Sequence, residues 1–379
     1  MTGAYNPRKV HHMNFSVVVV GAGFSGAVSA RYFAEKGEKV LVIEKKGHTA
    51  GHCYDYRNDV NISIHKYGPH IFHTKSKKVW DYVNRFSQFH LYQHRVLSYT
   101  DGTFFNFPIS VDTINKAYAE NLSTREVEAF LEDEAGRSSF DTPPKNFRDA
   151  VVSQVGERLY GLFFEGYTRK QWERDPEELD ASLAKRIPVR LNRDDRYFSD
   201  QYQGIPSKGY SEMIRNILDH DNISILLRCD YFSIREGLNP DITVYTGELD
   251  AFFDNKFGKL EYRSVHFDLR TLDKEYYQPA AVVNYPNDYD WTRITEFKYF
   301  TYEHSSKTTI CFEYPQATGD PYYIVPTQEN MRKRRKYMAE VQKLEDTQKF
   351  VFLGRLAEYK YFNMDEVILN ALGKLEARF

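Results

Sequence analysis

The chain has 379 residues, which is long for a single hydrophobic core and predicts two or three domains. Its formal net charge of −2 gives no reason to expect nucleic acid or an acidic membrane surface as a partner. Three widely spaced cysteines predict neither a disulfide framework nor a zinc site, and no apolar run reaches the roughly 18 residues that a membrane helix needs. We therefore expect a cytoplasmic protein without membrane insertion, and we treat residues 1–13 as an extra N-terminal tail.

A strand that runs directly into a glycine-rich turn is the first predicted element. Val17–Val20 is followed by Gly21-Ala22-Gly23-Phe24-Ser25-Gly26, which has the spacing G-x-G-x-x-G. This spacing predicts a tight turn at Gly21, close approach of a pyrophosphate at Gly23 and close helix packing at Gly26. The unpaired N–H groups at the start of the following helix attract phosphate.

A second strand, residues 40–43, ends at Glu44, whose carboxylate is placed to accept both hydroxyls of an adenosine ribose. Strand, glycines, helix, strand and acid follow one another in the order of a Rossmann-like fold. We therefore predict that the chain binds a dinucleotide. Two later apolar segments, residues 223–227 and 242–245, are predicted to return to this first sheet.

The other segments alternate between helical and strand-rich patterns. From apolar periodicity and turn residues we predict a helix at 76–90, a hairpin at 91–108 around Asp101-Gly102, helices over 113–171 with a break at 142–144, strands at 185–206 and 259–325, a charged helix at 329–345, a strand at 349–355 and a final helix at 364–378.

These elements predict an α/β fold with a discontinuous Rossmann-like domain and two inserted parts. The predicted domains are a Rossmann-like domain from residues 14–90, 207–255 and 329–379, a mainly helical domain at 110–184, and an antiparallel β-sheet domain from 91–109, 185–206 and 256–328. Such a layout leaves a cleft where the inserted parts face the cofactor, and ligands are expected there.

Three clusters carry chemistry. The first, residues 65–73, holds three histidines around Gly68-Pro69, and because no acid joins them locally it predicts a loop rather than a metal site. The second, residues 166–172, joins rings that can stack on a base to nearby arginines that can clamp a diphosphate. The third comprises Arg293, the Tyr322-Tyr323 pair and residues 354–364. Together they predict a dinucleotide and a second anionic, ring-bearing ligand, but no particular reaction.

The motif series closely resembles that of the bacterial UDP-galactopyranose mutases, over about residues 14–373. The segments that carry the resemblance are GAGFSG, VLVIEK, IHKYGPHIFHT, GYTRKQW, KRIPVR, YFSDQYQGIP, TGELDAFFDNKFGKLEYRS, TRITEFKYF, DPYYIVP and GRLAEYKYFNM.

The resemblance implies an FAD-dependent isomerase that interconverts UDP-galactopyranose and UDP-galactofuranose without net oxidation. The Rossmann-like domain would hold FAD, the helical domain would carry a mobile substrate loop, and the reduced flavin would act through N5 as a nucleophile at the anomeric carbon. NADPH or NADH would reduce the flavin, and the product would supply galactofuranose for cell-surface glycans. The family further implies a homo-oligomer with a dimer as its building unit.

The resemblance also assigns residues by matched position. Arg186 and Arg293 would hold the diphosphate, with His70 and His73 beside the flavin near the sugar, as the catalytic set. The substrate would further contact Tyr167, Thr168, Trp172, Tyr197, Tyr323, Tyr361 and Asn363. The cofactor would contact Gly21, Gly23, Phe24, Ser25, Gly26, Glu44, Lys45, His52, His70, Arg355 and Met364. No metal ligands are assigned.

Three positions depart from the usual family pattern. His52 replaces a small polar residue near the flavin, Asn363 replaces an acid, and Leu353 replaces a glycine. None removes a group that the reaction needs, although the flavin potential and substrate affinity are open to change. The alternatives are a UDP-N-acetylgalactopyranose mutase, a flavin amine-oxidase-type oxidoreductase and a non-catalytic nucleotide-sugar sensor.

Overall fold

The computed structural model describes residues 15–186 and 189–379, apart from the side chains of residues 185 and 186. The predicted tail, residues 1–13, lies outside the described residues.

The described strands are numbered in chain order. They are β1 Val17–Val20, β2 Val40–Glu44, β3 Asp55–Arg57, β4 Ser63–His65, β5 Phe72–Thr74, β6 Phe89–Leu91, β7 Val96–Thr100, β8 Thr103–Phe107, β9 Tyr202–Pro206, β10 Ile223–Leu227, β11 Ile242–Tyr245, β12 Tyr262–Leu272, β13 Val282–Asn284, β14 Arg293–Glu296, β15 Thr308–Gln316, β16 Tyr323–Ile324 and β17 Phe350–Phe352.

The described helices follow the same numbering. They are α1 Phe24–Glu35, α2 Lys77–Asn84, α3 Val111–Tyr118, α4 Val127–Gly136, α5 Phe147–Tyr160, α6 Gly166–Trp172, α7 Tyr210–Leu218, α8 Tyr231–Ile234, α9 Leu249–Phe252, α10 Lys298–Thr301, α11 Gln328–Asp346 and α12 Met364–Arg378, with a π-helix at Gly161–Glu165 and 3₁₀ turns at Gly51–Cys53, Pro176–Glu178, Ala181–Arg186 and Arg235–Gly237. Within the described ranges, none of these helices combines the length and the apolarity needed to cross a membrane.

A parallel five-stranded sheet forms the first layer, in the order β10-β2-β1-β11-β17. The predicted return of residues 223–227 and 242–245 is confirmed, because β10 pairs with β2 and β11 pairs with β1. Apolar side chains of β1 and β2 pack against α1, α7 and α12 in one buried cluster. The sheet continues on both sides of β1, through β2 on one side and β11 on the other. A crevice therefore opens beyond the carboxyl end of β1, where ligands of such sheets bind.

A second sheet has seven strands in the order β16-β12-β15-β14-β13-β7-β8. Five of the six strand pairings in this sheet are antiparallel, and the pairing between β13 and β7 is parallel. The predicted hairpin is confirmed: Thr100 pairs with Thr103 across a two-residue turn. Asp101 and Gly102 both have positive φ, 51° and 71°, as the I′ turn of a tight hairpin requires.

The helical part, α3 to α6, is confirmed, and residues 142–144 do interrupt it between α4 and α5. One apolar cluster holds these helices together, with Val127, Val152 and Leu159 fully buried in it. The π-helix joins α5 to α6 without a loop, and π-helical turns of this kind often lie at functional sites.

Two of the predicted elements are wrong in part. The helix predicted over 76–90 ends at Asn84, because β6 pairs instead with β9 in a small sheet that also contains β5. Of the strands predicted over 185–206, the described residues form β9 alone, and residues 187 and 188 lie outside them. Within the described residues 189–201 the ladder contact is a single bridge from Val189 to Ile109. The Asp194 carboxylate there accepts both the backbone and the side-chain N–H groups of Arg196, and such local bonds compete with strand pairing.

Candidate active site

Two cavities meet near the carboxyl end of β1. The first has a volume of about 450 Å³ and the second about 330 Å³. Five residues line both cavities and so form their common wall: His52, His70, Arg355, Asn363 and Met364. A ligand in the first cavity therefore reaches the second along this wall.

The first cavity begins at the glycine turn after β1. Gly21 has a φ of +102°, and a side-chain carbon there would lie 2.2 Å from the Thr246 hydroxyl oxygen. At Gly26 the same carbon would lie 1.9 Å from the carbonyl oxygen of Gly21, which confirms the predicted close packing of α1 on the turn. Gly26 therefore stands behind the cavity wall, and the other predicted cofactor residues line the cavity.

The floor of this cavity suits a pyrophosphate. A carbon added at Gly23 would meet only the Cα of Gly51, at 3.8 Å, so the backbone here is open toward the cavity. Gly354 packs against Ser25 from the opposite side, with a φ of +96° that favours glycine. The first N–H groups of α1 have no acceptor within the helix, and they attract anions. These features fit the diphosphate of a dinucleotide cofactor.

Glu44 lies at the end of β2, as predicted, and is only 6% exposed. Its carboxylate accepts the N–H groups of Ala22 at 2.9 Å and Lys46 at 2.8 Å, so it is held against the glycine turn. Lys46 in turn forms an ion pair with Asp320 from the loop before β16. The ribose end of the cavity is thus closed by residues of both large sheets.

The second cavity is bounded by α6, the second sheet and the final part of the chain. Tyr167, Thr168 and Trp172 line it from α6, and Phe163 and Phe164 line it from the π-helix. Burial raises the pKa of the Tyr167 phenol to about 12, so this hydroxyl stays protonated at neutral pH and can donate a hydrogen bond. Aromatic rings and a protonated phenol suit a planar base.

Arg293 supplies a half-buried positive charge to the second cavity. Its Nε donates to the carboxylate of Glu313 at 2.7 Å, and Glu313 is only 2% exposed. Burial raises the pKa of Glu313, whereas the Arg293 charge lowers it. The hydrogen bond to Glu313 uses Nε, so the two terminal nitrogens of the Arg293 guanidinium are left for a ligand. Such an arginine is oriented for a bidentate contact with an anion.

Arg355 belongs to both cavities rather than to the first alone. Its guanidinium donates to the carbonyl oxygens of Tyr322 at 3.0 Å and Phe362 at 2.8 Å. It also lies over the Tyr361 ring, 4.7 Å from the centroid, and that ring is parallel to Tyr323 at 6.4 Å. One arginine therefore fixes two segments that carry predicted substrate tyrosines.

The histidine cluster divides between the cavities. His70 lines both, donates its backbone N–H to the Nδ1 of His65 and bonds the Gly68 carbonyl through its own Nδ1. Burial lowers the pKa of His70 to about 3 and that of His65 to about 4, so both rings are neutral at physiological pH. The structure thus places His70 at the common wall as a neutral imidazole.

His73 lines the second cavity only. Its ring pairs with the Asp200 carboxylate and stacks on Phe198 with centroids 3.6 Å apart, so both the position and the orientation of the ring are fixed. His52 lies in the common wall and stacks on Tyr322 at 4.4 Å. Burial holds the pKa of His52 well below its ordinary value, and the charge of Lys46 adds to the shift.

Most of the predicted substrate residues come together. Those that line the second cavity are Tyr167, Thr168, Trp172, Tyr197, Arg293, Tyr323, Tyr361, Asn363 and His73. Asn363 also caps α12, where its N–H donates to the Glu366 carboxylate at 2.7 Å. The side chain of Arg186 lies outside the described residues.

Several residues that line the second cavity had no individual role assigned from the sequence. Glu313, Gln171, Asn284, His94 and Tyr322 line the second cavity, and none of them was assigned a role from the sequence. Tyr322 was adjacent to a predicted site residue, and Gln171 lies inside a recognised motif. Glu313 had no local signal, because only strand pairing of β14 with β15 places it opposite Arg293.

Comparisons with known proteins agree with this geometry. A family model described as UDP-galactopyranose mutase matches residues 162–361, and one described as an NAD(P)-binding Rossmann-like domain matches residues 19–86. A probable UDP-galactopyranose mutase of Klebsiella pneumoniae is 40% identical, covering 95% of this chain and 93% of that protein. A dTDP-fucopyranose mutase of Escherichia coli is 36% identical, covering 94% and 96%.

A crystal structure of reduced UDP-galactopyranose mutase has the same fold, with a TM-score of 0.77 at 15% identity over 96% of this chain and 95% of that one. The fold, the paired cavities and the full-length sequence similarity therefore agree with one another. The chain belongs to the UDP-galactopyranose mutase family of flavin-dependent isomerases.

Proposed function

We propose that the protein interconverts UDP-galactopyranose and UDP-galactofuranose by ring contraction, with FAD bound in the first cavity and UDP-sugar in the second. The observation that carries this proposal is the common wall, where His52, His70 and Arg355 line both cavities. A flavin that reaches this wall meets a sugar whose diphosphate lies against Arg293. A nicotinamide cofactor, NADPH or NADH, is the proposed reductant.

The reduced flavin, when bound, supplies through N5 a nucleophile for the anomeric carbon. Arg293 neutralises the diphosphate as the bond from the anomeric carbon to UDP breaks, and it keeps UDP nearby for the return step. Glu313 holds the Arg293 guanidinium in place throughout, because it accepts a hydrogen bond from Nε. The two terminal nitrogens of Arg293 are then left to the ligand. Arg186 is proposed as the second cation at the diphosphate.

The tyrosines and α6 orient the nucleotide. Tyr167 and Trp172 are proposed to flank the uracil, and Tyr197, Tyr323 and Tyr361 to contact phosphate oxygens. Burial raises the pKa of Tyr323, so its phenol remains a hydrogen-bond donor at neutral pH. UDP must leave the sugar and return to it within one turnover. Fixed contacts to UDP therefore favour its return over its loss to solvent.

The neutral histidines keep additional positive charge away from the flavin. His70 and His65 have pKa values of about 3 and 4, so neither gains a proton in the physiological range. His70 is proposed to orient the flavin and the sugar, and His65, which lines neither cavity, holds the His70 backbone through its Nδ1. His73 is proposed to contact the sugar, with its ring oriented by Asp200 and Phe198.

A second candidate substrate is dTDP-fucopyranose, favoured by the 36% identity to the E. coli enzyme of that name over 94% of this chain. Compared with UDP-galactopyranose, this substrate carries an extra methyl on the base and lacks two hydroxyls, the 2′-OH of the ribose and the 6-OH of the hexose, while its diphosphate is the same. The more similar K. pneumoniae relative and the family model favour the uridine substrate. The oxidase alternative is not favoured, because the chain is only 24% identical to an L-amino-acid oxidase of Sistrurus catenatus edwardsii over 48% of that protein. None of these relatives favours the UDP-N-acetyl sugar.

The proposal extends to the cell. The product would serve cell-surface glycans, and the protein would act in the cytoplasm as a homo-oligomer built from dimers.

The decisive experiment measures turnover on oxidised and dithionite-reduced protein side by side. We expect reduced protein to convert UDP-galactofuranose into the pyranose, and oxidised protein to be nearly inactive. Turnover of dTDP-fucofuranose under the same conditions distinguishes the second candidate. Flavin-bearing, reduced protein that converts neither sugar would contradict the proposal.

A further inference from the structure

Lys170 lies on α6, between the proposed base-binding residues, yet it does not line either cavity. Its ammonium points instead to the loop that connects β13 to β14. There it donates to the backbone carbonyl oxygens of Tyr285 at 2.5 Å, Tyr289 at 2.9 Å and Trp291 at 3.0 Å. An ammonium has three N–H donors, and one loop therefore accepts all three.

The same loop holds the helices a second time, through Asn287. Its side-chain amide donates to the Thr100 hydroxyl at 3.1 Å and to the carbonyl oxygens of Gly161 and Leu162, both at 3.4 Å. Those two carbonyls belong to the π-helix that leads into α6. Lys170 thus binds the loop from the helix, and Asn287 binds the helix from the loop.

A glycine allows the two elements to come this close. A side-chain carbon at Gly166, the first residue of α6, would lie 2.4 Å from the Asn287 side-chain oxygen and 2.5 Å from the Pro286 carbonyl oxygen. Any larger residue would push the loop away from the helix. We call Gly166, Lys170 and Asn287, together with loop residues 285–291, the helix–loop joint.

The joint connects the two halves of the second cavity. On the helix side, α6 carries Tyr167 and Trp172, which are proposed to flank the base. On the loop side, residue 291 is followed within two positions by Arg293, which is proposed to bind the diphosphate. The distance between a base and its diphosphate is set by the ligand, so the protein must hold these two contacts at a matching distance.

We infer that the helix–loop joint, through Lys170 and Asn287, positions the base-binding helix relative to Arg293, so that one nucleoside diphosphate engages both at once. This inference rests on the proposed function, because it assumes a UDP-sugar in the second cavity. Lys170 and Asn287 are positioning residues, since neither lines the cavity.

If the joint positions the two contacts, its loss affects ligands differently, whereas loss of a purely structural contact would weaken all ligands alike. Ligands that touch only one side of the joint do not depend on it: uridine needs α6, and pyrophosphate needs Arg293. UDP joins both parts, and it gains affinity only when the two sites stand at the right separation. Loosening the joint should therefore weaken UDP and leave its fragments unchanged.

The test uses the flavin-bearing protein with Lys170→Met, which keeps an unbranched side chain one heavy atom shorter and removes its donors. The fold should survive, because Arg263 independently holds the end of α6: it donates to the Gln171 carbonyl at 3.0 Å and to the Glu173 carboxylate at 2.8 Å. Arg169→Met is the matched control, since Arg169 is an exposed residue of the same helix whose ion pairs are with Glu165 and Asp175.

Binding of UDP, uridine and pyrophosphate is measured by intrinsic tryptophan fluorescence, because Trp172 lines the cavity. For Lys170→Met we expect the Kd of UDP to rise about tenfold and the Kd of each fragment to change less than about twofold. In turnover by the reduced protein, KM for the UDP-sugar should rise about tenfold with kcat little changed. Asn287→Ala should give the same pattern with a smaller rise.

Equal weakening of all three ligands would overturn the inference, since it would mean general damage to the site. An unchanged Kd for UDP in Lys170→Met would also overturn it, as would a tenfold rise in Arg169→Met. Wild-type protein that binds neither UDP nor its fragments would contradict the proposed function instead.

Discussion

The two cavities are built in different ways. Glycine backbone shapes the phosphate end of the first, at Gly21, Gly23 and Gly354, and the Glu44 carboxylate holds the turn. Side chains form the second, brought from α6, β14, β15 and the segment before α12. The glycine turn tolerates few residue types but is encoded by a short stretch of the chain. The side-chain site of the second cavity instead needs many distant elements held in register. The predictions below exploit this difference.

The largest effect is expected at Gly26, where the surrounding backbone leaves no space for a side chain. Gly26→Val places a side-chain carbon where only 1.9 Å separates it from the Gly21 carbonyl oxygen, so α1 cannot pack on the turn. We expect loss of bound flavin and of soluble folded protein, measured by flavin absorbance and circular dichroism. Gly373→Ala is the control, because no atom approaches that exposed helical position, and it should gain about 0.5–1 kcal/mol. A folded, yellow Gly26→Val protein would contradict this account.

The next effect removes the central cation of the side-chain site. Arg293→Ala should lower kcat/KM roughly 10- to 150-fold, because a charge-assisted hydrogen bond is worth about 1.5–3 kcal/mol. It also leaves the buried Glu313 carboxylate without its cation and with only the Thr295 hydroxyl as a donor at 3.4 Å, which should cost about 3–5 kcal/mol of unfolding free energy.

A second substitution separates these two losses. Arg293→Ala combined with Glu313→Gln removes the buried charge, so chemical denaturation should show recovered stability while turnover stays low. Flavin content should remain that of the wild type in both variants, since Arg293 does not line the first cavity. Recovery of activity in the double variant would argue against a diphosphate contact at Arg293.

A substitution at Gly23 should have an intermediate effect, because it fills space beside the backbone without straining the backbone. Gly23 has a φ of −79°, which any residue adopts, and a carbon there would meet only the Gly51 Cα at 3.8 Å. Gly23→Ala should therefore fold normally, while its methyl group occupies the approach of the pyrophosphate and weakens flavin binding about tenfold. Flavin titration and thermal unfolding of flavin-free protein measure the two properties. Equal flavin affinity in variant and wild type would place the pyrophosphate elsewhere.

The smallest effect concerns the buried histidines. Burial lowers the pKa of His65 to about 4 and those of His70 and His94 to about 3, below the ordinary 6.5. Between pH 6.5 and about 4 the unfolded chain binds protons that the folded chain does not, so stability is full above pH 6.5 and declines as the pH falls. Each histidine contributes a slope of up to about 1.4 kcal/mol per pH unit.

His94→Gln should reduce this slope by about one such contribution, as measured by urea unfolding at pH 7.5, 6.0 and 5.0. His304→Gln, at an exposed position, is the matched control. A slope unchanged in His94→Gln would mean that its ring is protonated in the folded protein.

Much of the fold was predictable because its signals are local. Valine runs, glycine spacing and apolar periodicity located β1, β2, α1, α11 and α12, since each depends on residues close in sequence. The errors at 76–90 and 189–201 arose where tertiary pairing or side-chain bonds overrode the local pattern. Local propensity is weak, and a small sheet such as β5-β9-β6 can overrule it.

The sequence by itself determined the glycine turn and the acid of the predicted dinucleotide site, because Val17 to Glu44 form one contiguous strand–helix–strand unit. Only the tertiary structure decided the second cavity. It set Glu313 opposite Arg293, gave Arg355 to both cavities and joined α6 to the loop before β14 through Lys170. These contacts connect residues more than a dozen positions apart, so their geometry depends on sheet register and helix packing, which no local pattern specifies.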